Sequence, residues 1–406
     1  LEHDGSKWTG TINKLIVGFD YTITGHAYKC TDCPDQPNVP DYDNYSVSTL
    51  AGQAGVRGST NGQGALAKFD EPHGVAVDSL GNLYIADSAK HLIRKIDYTG
   101  NVTTLAGQTG VSGSTNGQGT NAKFNQPKGV AVDNFGNIYV SDFNNHVIRK
   151  IDSSGNVTTL AGQVGTSGST NGLSSDARFN YPFGVEVDSS GNIYVADKSN
   201  HVIRKIDSSG NVTTLAGQVG TSGSTNGLSS VARFNYAYDV AVDSSGNVFV
   251  ADTFNHIIRR IDLAGNVSTI AGQTGVTGSA DGLATNATFN KPIGVAIDSS
   301  GNIYVADNAN HQIRKIDSSG NVTTLGGQVG IAGSTNGQGT DAKFNKPVGV
   351  AVDSSGNVYV ADSASHIIRK LKGISFSSSS ENDNHTYQEI FRGSTQHTVT
   401  EGTNSL

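Results

Sequence analysis

The chain has 406 residues, only 16% of them charged and 51 of them glycine, with a formal net charge of −7. No stretch approaches the roughly 18 uninterrupted apolar residues of a membrane-crossing helix, so a helical span is excluded. The acidic excess sits at the two ends, 1–44 and 372–406, and leaves a nearly neutral body, which argues against nucleic acid, whose binders carry a basic face.

Residues 1–44 form an extension too short to fold alone. Phe19, Tyr21 and Ile23 alternate with polar residues, the pattern of a half-buried strand. The sequence contains no methionine, so a start at Leu1 implies either trimming or a sequence that is not complete, and a removed secretory signal is the simplest expectation. Cys30 and Cys33 are the sole cysteines. Pro34 stands where haem attachment requires histidine, a metal site would need two ligands beyond the pair with only His26 nearby, and no βαβ surroundings support thioredoxin-like catalysis. A local disulfide in an oxidising compartment is the expectation, and with it an extracellular or cell-surface location.

From residue 45 to 371 a 55-residue repeat runs through the chain. His91, His146, His201, His256, His311 and His366 keep that interval, as do Arg94 to Arg369 and Asp87 to Asp362. One copy reads as four short strands: Gly129–Asp133, Ile138–Ser141, Val147–Ile151 and Val157–Leu160, with Gly-Asn turns after the first and third. A four-stranded meander repeated six times predicts an all-β, six-bladed propeller. The sixth copy has strands at 349–353, 357–360 and 367–371 but no fourth. Val47–Gly52 matches Val102–Gly107 and lacks preceding strands. The N-terminal segment therefore completes the last blade and removes an open edge. Beyond 371, Ser377–Ser380 reads as a flexible spacer, followed by strand-capable segments with Tyr387, Ile390, Phe391 and Val399.

The repeat resembles the NHL family. The motifs that carry the likeness are Pro-x-Gly-Val-Ala-Val-Asp, Gly-Asn-Ile-Tyr-Val-Ala-Asp, Asn-His-x-Ile-Arg-Lys-Ile-Asp and Gly-Asn-Val-Thr-Thr-Leu-Ala-Gly, over about residues 46–371. The resemblance implies a six-bladed propeller. It does not choose among RNA-binding regulators, receptor sensor domains, a peptide-amidating lyase and secreted bacterial proteins, of which the last group is most similar in character.

The lyase relative binds zinc through channel histidines, which would make the repeated histidine a candidate ligand. Six identical blades cannot supply the asymmetry of a catalytic centre, so each histidine is expected to pack near the Asp four residues before it, and no catalytic or metal residue and no cofactor is assigned. The repeated Arg and Lys are expected to lay their stems between blades with the charged ends in water. The long fourth-to-first connections, such as Gly107–Lys128, end in a Phe expected to anchor them.

Where copies differ is more informative. The slot before the repeated Pro holds Glu71, Gln126, Tyr181, Tyr236, Lys291 and Lys346. The slot after it holds His73, Lys128, Phe183, Tyr238, Ile293 and Val348. Tyr181, Phe183, Tyr236 and Tyr238 should cluster, with Glu186 in place of a small residue and Asp239 in place of glycine, a set suited to a sugar or a cationic side chain. Of eight Asn-x-Ser/Thr sequons, five belong to the repeated turn; Asn44, Asn286 and Asn384 are the candidates for glycosylation.

The expected function is a secreted, non-enzymatic structural protein that associates with copies of itself through its tails (Phe19, Tyr21, Ile23, Tyr387, Ile390, Phe391, Val399), since a head-to-tail contact that does not close builds a filament. The near-identity of 160–181 and 215–236, which differ only at Asp176 and Val231, agrees with a repetitive structural role. The alternatives are a cell-surface module holding a glycan or protein ligand on the long-loop face, and a lyase-like enzyme.

Overall fold

The structure, a computed structural model, describes residues 45–373 and the backbone of three two-residue strands, Glu2–His3, Trp8–Thr9 and Thr22–Ile23, which pair with one another. Ile23 lies in the last of these. Phe19, Tyr21, Cys30, Cys33, Asn44, Asn384, Tyr387, Ile390, Phe391 and Val399 lie outside the described residues.

Six antiparallel sheets follow the predicted meander. In blade two the strands are Pro127–Val132, Ile138–Asp142, Val147–Ile151 and Asn156–Ala161, within one or two residues of expectation. Each blade gains a fifth, two-residue strand from its long loop that the sequence pattern did not reveal, such as Gly117–Gln118 against Asn156–Val157. The turn after the inner strand is closed by its own aspartate. Asp133 Oδ1 accepts from the backbone N–H of Phe135 and Asn137 at 2.9 and 2.8 Å, while Gly136 takes the left-handed φ of 79° that the turn demands.

Blade six consists of Pro347–Val352, Val358–Asp362, Ile367–Gly373 and Tyr45–Ala51. The N-terminal strand pairs antiparallel along the third strand from Ile368↔Ala51 to Gly373↔Tyr45, so the ring is closed by the segment that the repeat register singled out.

The apolar residues sit between blades rather than within them. One cluster joins Phe69, Val75, Ile85, Ile96 and Val102 of blade one to Ala351, Tyr359, Ala361 and Ile368 of blade six, and an equivalent cluster fills each of the other five interfaces. The loop-terminal Phe69, Phe124, Phe179, Phe234, Phe289 and Phe344 are fully buried and anchor their loops, as expected.

One expectation is corrected and another extended. The repeated arginines do not reach water: all six, from Arg94 to Arg369, are fully buried. Arg149 Nη1 donates to Asp142 Oδ2 at 2.9 Å and to Lys123 O, and its Nη2 donates to Thr115 O and Asn116 Oδ1. Its Nε has no hydrogen-bond partner, and the guanidinium instead lies 5.2 Å from the centre of the Phe124 ring. Burial pushes the Asp142 carboxyl up to about 6, against the pull of Arg149. The histidines, in turn, also hold the next blade, which the repeat did not predict. Each takes a left-handed φ near 60°, and its Nδ1 accepts a backbone N–H from the following blade, as in Gln126 N–H to His91 at 3.0 Å and Tyr181 N–H to His146 at 3.1 Å. Burial lowers the pKa of these imidazoles and keeps them neutral acceptors.

Removing residues 1–51 takes away the closing strand with Val47 and Ala51, which are 2% and 0% exposed. At about 2 kcal/mol per buried large apolar side chain, plus the lost ladder, the truncated ring should be destabilised by roughly 5 kcal/mol and melt about 10 °C lower. Removing only 1–44 should leave the transition within about 2 °C of the intact chain. Calorimetry of both truncations checks this, and equal melting would overturn the closing-strand assignment.

Candidate functional site

The six inner strands line a narrow axial channel. They approach so closely at one level that glycine is required there: a Cβ on Gly74 would come within 2.5 Å of Lys128 O, and a Cβ on Gly349 would meet His73 O. Five blades keep this glycine. Blade four has Asp239, and its inner strand pairs differently, with Asp239 opposite Ala251, whereas the corresponding residues of the other blades are skipped. Asp239 Oδ2 accepts the Val295 N–H of blade five at 3.1 Å.

Just outside the collar, the slot after the repeated Pro forms a ring around the mouth: His73, Lys128, Phe183, Tyr238, Ile293 and Val348, one per blade. Built on a six-fold frame, this ring is chemically three-part: a basic pair, an aromatic pair and an aliphatic pair. Around it stand the residues before the Pro. Tyr181 and Tyr236 adopt φ of 53° and 51°, conformations that cost a side-chain-bearing residue energy and that the histidine contact from the neighbouring blade stabilises. They remain 39% and 37% exposed.

The predicted aromatic cluster forms, and it is larger than foreseen. Phe183 and Tyr238 touch with ring centres 4.6 Å apart. Phe143, from the second-to-third connection of blade two, packs on Tyr181 at 4.9 Å and Phe183 at 5.9 Å. Phe254, from the same connection of blade four, packs on Tyr236 at 5.2 Å. Six rings from three consecutive blades thus run across one side of the mouth. Lys198, from blade three, sits among them, its Nζ 4.7 Å from the centre of Tyr238, 5.3 Å from Phe143 and 5.7 Å from Tyr236. Sequence reasoning missed Phe143, Lys198 and Phe254, although their slots also break the repeat: Ser88, Phe143, Lys198, Thr253, Asn308 and Ser363 occupy the first, and Ala89, Asn144, Ser199, Phe254, Ala309 and Ala364 the second.

At the basic pair, His73 Nδ1–H donates to Glu71 O at 2.8 Å, which leaves Nε2 to accept from the Lys128 ammonium at 3.0 Å. Burial and the Lys128 charge push the imidazole down to about 3, so it is neutral. Burial lowers Lys128 itself to about 8.

The two acidic candidates occupy a different place from the rings. Glu186 and Asp239 line the channel below the mouth, and Asp239 also borders the mouth. Among the described residues neither has an ion-pair partner within 4.0 Å; Glu186 Oε1 accepts only the N–H of Val187. Burial pushes Glu186 up to about 7. Burial pushes Asp239 up to about 8, with the Glu186 charge adding to the rise. Asn286 is exposed in a loop turn, as a glycosylation acceptor must be.

Because the folded chain binds these two protons more tightly than the unfolded chain, the stabilisation they confer is complete below the ordinary carboxyl values of 3.8 and 4.5. It is lost as pH rises through about 7 to 8. The double substitution Glu186→Gln, Asp239→Asn should therefore raise the melting temperature at pH 9 and lose that advantage at pH 4. Parallel melting profiles for the two proteins would show that the carboxyls are not held in this way.

Family comparison agrees with the geometry. The NHL repeat model matches residues 69–96, 179–206, 289–316 and 344–371, and the Teneurin NHL domain model matches 110–179. NHL repeat-containing protein 2 of Bos taurus is 31% identical over 337 residues, covering 74% of this chain and 46% of its own length. The chain thus spans less than half of that relative. Among solved structures, an auxiliary nutrient binding protein from Bacteroides thetaiotaomicron VPI-5482 superposes with a TM-score of 0.62 at 16% identity, over 82% of this chain and 77% of that one. A gluconolactonase from Xanthomonas campestris superposes with a TM-score of 0.52 at 13% identity, over 85% and 100%. At such identities these two share the fold alone, which hosts both binding proteins and enzymes. The repeat motifs, the closed six-bladed ring and the relatives place the chain in the NHL-repeat family of β-propellers.

Proposed function

We propose that this propeller is a non-enzymatic binding module that holds a glycan at the channel mouth. The observation that carries the reading is the aromatic belt: Tyr181, Phe143, Phe183, Tyr238, Phe254 and Tyr236 come from three adjacent blades and lie side by side on one face. Tyrosine and phenylalanine faces stack on the apolar faces of pyranose rings while the hydroxyls stay hydrated. The collar keeps a ligand at the mouth, since five of the six inner strands meet there at glycines with no room for a side chain and the sixth fills the gap with Asp239. The name of the Bacteroides neighbour, a nutrient binding protein, is compatible with this use of the face. Against an enzyme, the neutral His73 is committed at both nitrogens, and among the described residues no cluster of three metal-binding side chains is present.

Tyr181→Ala with Tyr236→Ala tests the reading on a glycan array followed by calorimetry. Both rings are partly exposed, so the melting temperature should move by no more than about 2–3 °C. Affinity for the captured glycan should fall at least tenfold. Binding to nothing on the array, or unchanged affinity in the double variant, would sink the proposal.

Secretion and self-association into a fibre are a separate proposal, supported by the strand-forming composition of the two tails. Cutting the chain after Gly373 should then leave a folded propeller that light scattering shows as a monomer, while the full chain forms larger species. Equal size for the two would end the self-association reading and leave the binding reading intact.

A further inference from the structure

Resting on the mouth as a glycan site, the geometry points to an acidic sugar as its occupant: a pyranose that stacks on the aromatic belt and places a carboxylate between Lys128 and Lys198. The two ammonium groups lie over one ring, 5.7 and 5.3 Å from the centre of Phe143. Both are partly withdrawn from water, and burial lowers the proton affinity of each; at Lys128 the Glu71 charge offsets part of this and the Lys198 charge adds to it. Neither has a carboxylate within 4.0 Å among the described residues, although the pairs at Arg57 and Lys90 show that the same rim forms such contacts elsewhere. Among the described residues, Lys128 donates to the neutral Nε2 of His73, which brings no charge.

Two like charges half-buried around one ring, neither in direct contact with a carboxylate, are an unfavourable arrangement in the empty protein. An anion that bridges them removes both the repulsion and the unpaired burial. A carboxylate has two oxygens and can accept from both ammonium groups at once. The rings on the far side of Lys198, Tyr236 and Tyr238, then offer a stacking face to the sugar that carries it. Glu71, Glu186 and Asp239 are the acids that face this region. Glu71 is paired with Arg57 at 3.5 Å, and the other two lie deeper and hold protons near neutral pH. The carboxylate is therefore met by the lysines first.

The test is titration calorimetry of the full chain with an oligogalacturonate, with the same oligomer methyl-esterified, and with oligoglutamate. The acid oligomer should bind at least tenfold more tightly than its ester, and oligoglutamate should bind at least tenfold more weakly than the oligogalacturonate. Lys198→Met should lose at least tenfold in affinity for the acid oligomer and much less for the ester, with melting showing that the variant is folded. Lys198→Arg should restore most of the loss. Equal binding of acid and ester overturns the charge inference while the glycan site stands. Equal binding of oligoglutamate and oligogalacturonate overturns the sugar part. If neither oligogalacturonate form binds but a neutral glycan does on the array, the inference fails and the proposed function survives; an array without any bound glycan removes both.

Discussion

Six times around the ring an aspartate and an arginine face each other without access to water, and almost every other placement follows from that contact. The aspartate ends the second strand and the arginine stands in the third, so the pair ties the middle of each blade. Asp142 Oδ1 also accepts the N–H of Asn125, immediately after the anchoring Phe124, and Arg149 donates to three oxygens of the same long loop. A loop of some twenty residues with little apolar content would otherwise have no defined path. Here its backbone carbonyls are the ligands of a buried cation. Breaking such a pair by removing one member typically costs about 3–5 kcal/mol, because the other is left charged and unsatisfied. Blade five shows how tightly the geometry is kept: Asp281 replaces the usual Asn and still receives Arg314, now as a second carboxylate.

Since each loop is fixed in this way, its last residues arrive at the channel mouth in the same position in every blade. The frame is therefore symmetric and its decoration is not. Residues that face the interblade core are nearly constant, whereas those at the loop ends around the mouth differ freely, as binding residues on a rigid scaffold often do. Blades two to four carry all six rings of the belt and both lysines over Phe143. Blades five and six bring only Ile293 and Val348 to the same ring of positions.

The fold was readable because the repeat samples one structural solution six times. Interval counting located the four main strands of a blade to within a residue or two, and the missing fourth strand of the last copy identified the closing segment. The site was legible only in part. Tyr181, Phe183, Tyr236 and Tyr238 stood out because their slots flank the repeated Pro, which gives them an unmistakable register. Phe143, Lys198 and Phe254 hold equally variable slots, but their closeness to the belt depends on how the second-to-third connections of neighbouring blades converge, and one-dimensional spacing does not contain that. The buried arginines were misjudged for a similar reason. Long cationic side chains usually reach water, and the partners that make burial possible, such as Lys123 O and Thr115 O, are backbone atoms that no sequence pattern marks.

Closure by the N-terminal strand also sets an order of events during synthesis. Ser46 meets Lys372 across 326 residues of chain, so the first propeller strand to leave the ribosome is the last to find its partner. At about 5–20 residues per second it waits roughly 15–65 s with its edge unpaired. Its sequence, Ser-Val-Ser-Thr-Leu-Ala, closely resembles the outer strands of blades one to five, yet each of those blades already holds its own Asn-Val-Thr-Thr-Leu-Ala or a near copy beside its third strand. The waiting strand is thus kept from wrong pairing by occupancy rather than by its own specificity. Within one chain, the third strand of blade six is the vacancy left to it.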